Sequence, residues 1–444
     1  MELSWALRVE AGQVIAFVGA GGKTSAIRRL VKELAGDMPV LITTSTKLAL
    51  DEKDIADEHK IIEDAGGLLS ALSDWDRDRT LLLTAPRIPD EPKWDGLPLA
   101  QLQDVIEFSR EKKVVLLIEA DGAAGRSLKA PAEHEPALPH NLDLLVSVVG
   151  IDAVGESVES DLVHRSDQLR SLLDVESGTE LTVEHVASLL KHPSGSLKEL
   201  PLHAVLRVLI NKVTTKDRLK TARRIAELVL EEPKIKSVLI GVVQAKEPVR
   251  EVRGRVAAIV LAAGESKRFK RNKLLQEWNG KPILQHVMDA ARASKAHRRL
   301  LVVGHEHEKV LANVDHEGYE IVQNQDWKQG QSTSVQAGLG AVAGGVEAAV
   351  FPLGDMPRVD SGLIDELIDR HAETLAPVVA PQVEGEWGNP VLFDRVTFSA
   401  FSELTGDRGA KKLFSRYQIE AVPAGDDALQ DIDYTDDLVD AGKS

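Results

Sequence analysis

Cysteine is absent from the 444 residues. Disulfides, thiolate nucleophiles, cysteine-ligated zinc and iron–sulfur clusters are thereby excluded. Positive charge is also in short supply: 54 Lys and Arg face 70 Asp and Glu, a formal net charge of -16. So acidic a chain has no general attraction to nucleic acid or to an anionic membrane, and anionic ligands must be met by local basic sites. No apolar run approaches the length needed to cross a bilayer. The opening MELSWALRVEAGQV lacks a basic region followed by an apolar core, so no signal peptide is expected. The expectation is a soluble, cytoplasmic protein with neither nucleic acid nor membrane as partner. Hydrophobic residues at 43% and charged ones at 28% argue against disorder and fibrous structure. The length exceeds what one compact core usually holds and suits two domains or three.

The first half alternates short apolar runs with amphipathic segments. Strands are expected over residues 14–18, 40–43, 114–118, 144–149, 205–210 and 237–242, and helices over 25–34 and 218–231. Several of the strands are continuous β-branched runs, which suit a parallel sheet covered on both faces. The rhythm restarts at VAAIVLAAG after a charged stretch without apolar periodicity, and continues over 299–303, 348–351 and 377–380. This predicts an α/β fold of two Rossmann-like three-layer domains with mostly parallel sheets. The first is P-loop-like and occupies residues 1–245. Residues 246–254 read as a linker, and the second domain occupies 255–444.

The densest local signal is LAAGESKRFKRNK. A buried strand through Leu261 ends in Ala262, Ala263 and Gly264, small residues that let a ligand approach the backbone. Ser266, Arg268 and Lys273 follow closely. Backbone N–H groups in such a turn cradle phosphate while Arg and Lys neutralise it; the alternative is a plain strand-to-helix turn with solvated basic residues. LGDMP follows the apolar run AAVF and sets Asp355 at the carboxyl end of a strand, where ligand sites of open α/β sheets lie. One carboxylate there suits Mg²⁺, and a helix N-cap is the competing role. Gly388-Asn389-Pro390, GDRGA and Asp431-Ile432-Asp433 come later in the chain. His305-Glu306-His307 has a metal-like look, but no third ligand stands near it in sequence, and a solvated position is the simpler reading.

These motifs, in this order, resemble the molybdenum cofactor cytidylyltransferases among the MobA-like nucleotidyltransferases. The family pattern LAAGxSxRMGxxK is matched by LAAGESKRFKRNK, and NQDWKQGQSTSVQAGL is similar to its Asn-Pro-x-Trp-x-x-Gly-x-Ser-x-Ser stretch. The resemblance implies that Leu261, Ala262, Ala263, Gly264 and Ser266 lie against the nucleotide. Arg268 and Lys273 would hold its triphosphate, and with Asp355 make the catalytic set. Asp355 and Asp433 would bind Mg²⁺, with Asp431 a lesser candidate, and Ser332 and Ser334 would approach base or ribose. Gly388, Asn389 and Pro390 would meet the acceptor. Lys270 stands where the family has Gly, Gln325 where it has Pro, and Tyr434-Thr435 where it has Thr-Pro. The implied reaction takes CTP and Mo-molybdopterin to molybdopterin cytosine dinucleotide and pyrophosphate. A phosphate monoester with a second pKa near 6 is already mostly dianionic at neutral pH, so its attack on the α-phosphorus needs charge neutralisation rather than a general base. Ala263 favours CTP, since the guanylyl enzymes read LAGG there.

In the first half, VIAFVGAGGKTS is a strand, a Gly-rich turn and a Lys-Thr pair opening a helix. Gly19, Gly21, Gly22, Lys23 and Thr24 therefore describe a phosphate cradle, the alternative being a plain tight βα turn, against which the Lys-Thr pair at a helix start weighs. It departs from the Walker A spacing, because Phe17 occupies the place of the first Gly. Thr43, Thr44, Ser45 and Thr46 offer hydroxyls at the same sheet edge, and Glu119 and Asp121 end a strand as an acidic site. Asn211-Lys212-Val213 is similar to a guanine-reading Asn-Lys-x-Asp, with Thr214 in place of the last Asp. The GAGGKT turn, EADGA…LKAP…HEP and His164-Arg165 resemble the YqeC-like accessory proteins of selenium-dependent molybdenum hydroxylases. That resemblance implies an apo molybdenum hydroxylase as partner and supplies no reaction. Other readings of the whole chain are transfer to a different phosphorylated acceptor, guanylyl transfer, and a non-catalytic carrier that inserts finished cofactor.

Overall fold

The fold is described from a computed structural model, covering residues 1–265, 272–342, 344–406, 410–425 and 430. It is α/β throughout. The chain divides into two compact units, Met1–Arg253 and Gly254–Ser444.

The first unit is built on a nine-stranded sheet. Its strands are β1 (Val14–Gly19), β2 (Val40–Thr44), β3 (Glu58–Ile61), β4 (Leu81–Thr84), β5 (Val115–Glu119), β6 (Leu144–Gly150), β7 (Val205–Asn211), β8 (Ile235–Gly241) and β9 (Val249–Gly254). They lie in the order 9-8-7-6-1-5-2-4-3, and the ladders from β8 through to β3 are all parallel. The central strands are buried along their length but for Gly19 at the end of β1, which is why they read as unbroken apolar runs. Helix α1 (Lys23–Leu34) presents Ala26, Ile27, Leu30, Val31 and Leu34 to the core, a spacing that keeps one helical face apolar. Helices α2 (Leu99–Lys112), α3 (Val183–Lys191) and α4 (Lys216–Val229) follow. Thr215 caps α4, its side chain accepting from the Arg218 N–H, as N-cap threonines do.

The stretch read as a linker carries strand β9 on the sheet edge. Its alternating charges are what an edge strand tolerates. Glu251 is only 2% exposed, yet it accepts from Arg223 Nε of α4 at 2.9 Å and from Arg253 Nε at 2.8 Å. Paired charge at an edge looks, in sequence, like a solvated connector.

The second unit holds β10 (Val256–Ala262), β11 (Arg298–Val303), β12 (Glu320–Gln323), β13 (Ala348–Phe351), β14 (Val378–Val383), β15 (Glu386–Trp387), β16 (Val391–Asp394) and β17 (Ile419–Pro423). The order is 12-11-10-13-16-14-15, with β17 pairing β14. Strands β12 to β13 run parallel, and β16 turns the far side antiparallel. Alternate residues of β10 feed two cores: Ala258, Val260 and Ala262 pack with α5 (Ile283–Ala293) and α7 (Ser361–Thr374), whereas Ala257, Ile259 and Leu261 face α6 (Gln331–Val342). The period of two thus makes a three-layer unit. Buried His371 of α7 joins Asp394 of β16, Nε2 to Oδ2 at 2.7 Å. No helix among the described residues is long and apolar enough to cross a membrane.

Close packing of the β1–α1 turn on its neighbours makes glycine obligatory there. Gly21 has φ +88°, and a Cβ on it would fall 2.3 Å from the Gly150 N. Gly36 shares the backbone region, at φ +92°, but nothing lies within 4 Å. Gly36→Ala is expected to lose about 1 kcal/mol of stability to backbone strain, and Gly21→Ala at least about 2 kcal/mol to strain plus overlap. Urea denaturation of the two variants checks this; equal losses would contradict it.

Candidate functional site

Each unit has a cavity where its parallel strands end, the usual place for ligands in such sheets. In the second unit β10 ends in Ala262, and the chain continues through Ala263 and Gly264 along a cavity of about 530 Å³, within the size range of small-molecule sites. Leu261, Ser334, Trp327 and Gln331 line it as well. Gly304, just past β11, admits this arrangement, since a Cβ there would meet the Ala263 Cβ at 2.9 Å and the Trp327 Cβ at 2.8 Å. Lys273 and Asp355 enter from separate segments and pair at 2.6 Å, with side chains 14% and 23% exposed. The structure therefore brings together Leu261, Ala262, Ala263, Gly264, Lys273, Ser334 and Asp355.

Ser332 is placed differently. It is 1% exposed, does not line the cavity, and its N–H donates to Gly406 O at 3.3 Å. Buried Asn324 fastens this segment, donating from Nδ2 to Thr333 Oγ1 at 2.8 Å and to Ser334 Oγ at 3.0 Å. A second cavity of about 470 Å³ shares Leu261, Gln331 and Leu353 with the first and adds Phe351, Phe393 and Lys411. Of the expected acceptor turn, Asn389 lines it while Gly388 and Pro390 do not. Ser266, Arg268, Asp431 and Asp433 lie outside the described residues. Among the described residues no three His, Asp or Glu side chains converge as a metal site. Asp355 is one partly buried carboxylate lining a cavity large enough for a nucleotide's phosphates, which fits Mg²⁺ held by one or two carboxylates with phosphate oxygens and water.

In the first unit the register sets Glu119 of β5 beside Phe17 of β1 and Thr44 of β2. The Phe17 side chain fills the core at 0% exposure, so the Walker glycine is replaced by a packing residue. Gly21, Gly22, Lys23, Thr24 and Glu119 line a cavity of about 550 Å³; Gly19 and Asp121 do not line it. Lys23 Nζ donates to Gly19 O at 2.8 Å and lies 3.1 Å from Asp121 Oδ1. Gly19 N–H donates to Asp121 Oδ2 at 2.9 Å, and Thr24 Oγ1 donates to Glu119 Oε2 at 2.9 Å. The threonine cluster is spent on the backbone: Thr44 Oγ1 donates to Glu119 O, Thr43 Oγ1 to Leu83 O and Ser45 Oγ to Ala137 O. Asn211 is likewise engaged at both ends, donating to Gly21 O at 2.7 Å and accepting from Val243 N–H at 3.0 Å. It holds the loop in shape rather than reading a base.

A buried ion network that the sequence did not single out continues below Asp121. Lys129 Nζ contacts Asp121 Oδ2 at 2.9 Å and Glu135 Oε2 at 2.7 Å, and Arg165 clasps Glu135 at 2.6 and 3.0 Å. The only signal was the run LKAP…HEP ahead of His164-Arg165. Burial alone would raise the Glu135 carboxyl, but the Arg165 and Lys129 hydrogen bonds outweigh it and hold it well below the usual range. Glu119 goes the other way: burial pushes it up to about 7 against the pull of Lys23 and the Thr24 hydroxyl.

The profile described as MobA-like NTP transferase domain matches residues 258–422, and that of the YqeC protein family matches 15–167. The "Uncharacterized protein YqeC" of Escherichia coli (strain K12) is 30% identical over 204 residues, 42% of this chain and 71% of that protein. "Bifunctional protein GlmU" of Sorangium cellulosum (strain So ce56) is 30% identical over 166 residues, 35% of this chain but 34% of that protein. The chain thus spans about a third of the GlmU length. A solved structure, the Mycobacterium tuberculosis rv0371c homolog from mycobacterium sp. strain JC1, has 26% identity and a TM-score of 0.39, covering 43% of this chain and 96% of that one. The second unit is a nucleotidyltransferase domain of the MobA-like class. The chain belongs to the YqeC family, in a form that joins the YqeC unit to this transferase domain.

The raised Glu119 gives a signed pH dependence. Its carboxyl keeps a proton to about pH 7 when folded, but releases it near 4.5 when unfolded. Its contribution to stability is therefore full below pH 4.5 and is lost as pH rises through 7. Glu119→Gln carries no such proton. Its melting temperature relative to wild type is expected to rise between pH 5 and pH 8; a constant difference over that range would contradict the assignment.

Proposed function

We propose that the second unit transfers CMP from CTP to the phosphate monoester of Mo-molybdopterin, releasing pyrophosphate and giving molybdopterin cytosine dinucleotide. One observation carries the reading: the Lys273–Asp355 pair stands in a strand-end cavity that adjoins a second cavity across Leu261, Gln331 and Leu353. Two adjoining spaces suit two substrates. The first takes the nucleotide against the Ala262-Ala263-Gly264 backbone, with Ser334 near base or ribose. The second, walled by Phe351 and Phe393 and edged by Asn389 and Lys411, suits a flat ring system better than a sugar.

Lys273, together with Arg268, meets the charge of the triphosphate. Asp355, with Asp433 as its expected companion, would hold Mg²⁺, which when bound supplies further neutralisation of the phosphates. An acceptor oxygen attacks the α-phosphorus, the bond to the β-phosphate oxygen breaks, and pyrophosphate leaves with the electron pair. The acceptor dianion brings no proton that must be removed. What the chain supplies is position and compensation of charge. The YqeC unit then serves the same maturation, with an apo molybdenum hydroxylase as client.

Pyrophosphate release by the full chain, with each nucleoside triphosphate and with or without molybdenum cofactor, tests the reading. Turnover is expected with CTP plus cofactor and at least about tenfold less with GTP. Asp355→Ala should lose at least about a hundredfold, and Asp355→Asn nearly as much, since shape without charge does not retain the metal. Equal turnover with GTP would remove the role of Ala263. Near-normal release by either Asp355 variant would remove that of Asp355, and release with sugar phosphates but not cofactor would favour a different acceptor.

A further inference from the structure

The first unit has a cavity that nucleotidyl transfer in the second unit does not use. Its lining carries five cationic side chains, Lys23, Lys47, Lys93, Arg126 and Lys212, against the carboxylates of Glu52 and Glu119. In a chain of net charge -16 such a local excess marks an anion site. Helix α1 opens into it through Gly22, which gives the first turn no side-chain cap, and no acidic residue stands in that turn. The positive end of a twelve-residue helix and the lysine at its start thus face the same space. At about 550 Å³ the cavity holds more than a lone phosphate.

The ion network beneath the loop decides whether Lys23 can be given up to a ligand. Lys23 is 4% exposed, and an acid left alone by its departure would carry a heavy penalty. Asp121 is not left alone. Lys129, also buried, holds Asp121 Oδ2 at 2.9 Å and Glu135 at 2.7 Å, and Arg165 completes the set. Asp121, Glu135, Lys129 and Arg165 are two anions and two cations, balanced without Lys23. The rim pairs Lys47–Glu91, Arg126–Asp161 and Lys212–Asp152 are at least partly solvated, and exposed pairs of this kind rearrange at little cost.

We propose that the first unit binds the triphosphate of a nucleotide in this cavity, Lys23 exchanging Asp121 for phosphate while Lys129 stays behind as the counter-ion of Asp121. The phosphates lie against the α1 N-terminus, and the nucleoside extends toward the strand ends at Lys212 and Val243. Because Asn211 is fixed to Gly21 O and Val243 N, the site lacks guanine readout by that residue.

Calorimetric titration of the full chain with ATP, GTP, CTP and inorganic tripolyphosphate, with Mg²⁺, tests this. Wild type is expected to bind two equivalents of at least one nucleotide, and Lys273→Ala to keep the first-unit equivalent. Lys23→Ala should weaken that equivalent by about tenfold or more, the loss of one charged phosphate contact. If transfer in the second unit is misassigned, wild type binds one equivalent and Lys23→Ala weakens it. If Lys23→Ala binds as wild type does, or wild type shows only the equivalent removed by Lys273→Ala, the first-unit site is overturned. Tripolyphosphate binding as tightly as every nucleotide would overturn the assignment of a nucleoside. Asp121→Asn keeps an acceptor for the Gly19 N–H, and leaves Lys129 with Glu135 and Gly122 O. By removing the competitor for Lys23 it should tighten Mg²⁺-free triphosphate binding several-fold, a gain that a purely structural Asp121 would not give. Unchanged or weaker binding would overturn the exchange.

Discussion

Lys273 reaches Asp355 at 2.6 Å in one unit, and Lys23 reaches Asp121 at 3.1 Å in the other. A lysine held by a carboxylate at the end of parallel strands organises both cavities. Without a ligand, each half of the pair is the other's partner, so neither charge is buried alone. A phosphate would compete for the lysine, and a divalent cation for an acid. A ligand that brings both would replace one pairing by two; at the first site Lys129 keeps Asp121 paired even where phosphate alone takes Lys23.

The two pairs differ in depth, and the difference has consequences. Lys273 and Asp355 have side chains 14% and 23% exposed, so water screens the pair and lowers the barrier to parting it. Lys23 and Asp121 are 3% and 2% exposed, where an uncompensated charge is prohibitive. In the first unit a second layer of ions, Lys129, Glu135 and Arg165, lies next to the pair and supplies that compensation. Glu119 occupies the intermediate position. Burial has already raised its carboxyl to about 7, with Lys23 pulling the other way. Removing Lys23 to a phosphate would favour the protonated form further, unless a cation arrives with the ligand.

The sequence revealed the strands because those at the centre of each sheet are apolar on both faces, as VIAFV and VAAIVLA show. Residues at strand ends were equally legible: Lys23, Glu119 and Asp355 sit at the close of apolar runs, and parallel sheets carry ligands there. Contacts closed over long separations were not. Lys129, Glu135 and Arg165 meet Asp121 across segments with no periodic pattern, and Asn211 reaches Gly21 over 190 positions. Nothing local distinguishes a lysine that will be buried on a salt bridge from one on a solvated loop. The same ambiguity disguised β9, whose Glu251 is buried only because Arg223 and Arg253 meet it. Ser332 and Ser334 show the converse limit. Two residues apart on one motif, they point to different surroundings, because two positions span about 200° of helix turn.

Hydroxyls at the first site illustrate how far residue type underdetermines role. The run Thr43 to Thr46 closes the strand just before Lys47, which lines the first cavity, where a metal- or phosphate-binding cluster would stand. Yet Thr44 closes on the Glu119 carbonyl and Ser45 on Ala137 O. These bonds fix the strand end on which Glu119 is carried, so the cluster acts on the site through geometry. Thr24 is the exception, since its hydroxyl meets the Glu119 carboxyl itself. A proton held by Glu119 weakens that acceptor, and a deprotonated Glu119 strengthens it. The state of one carboxyl therefore sets how firmly the first turn of α1 is tied to β5.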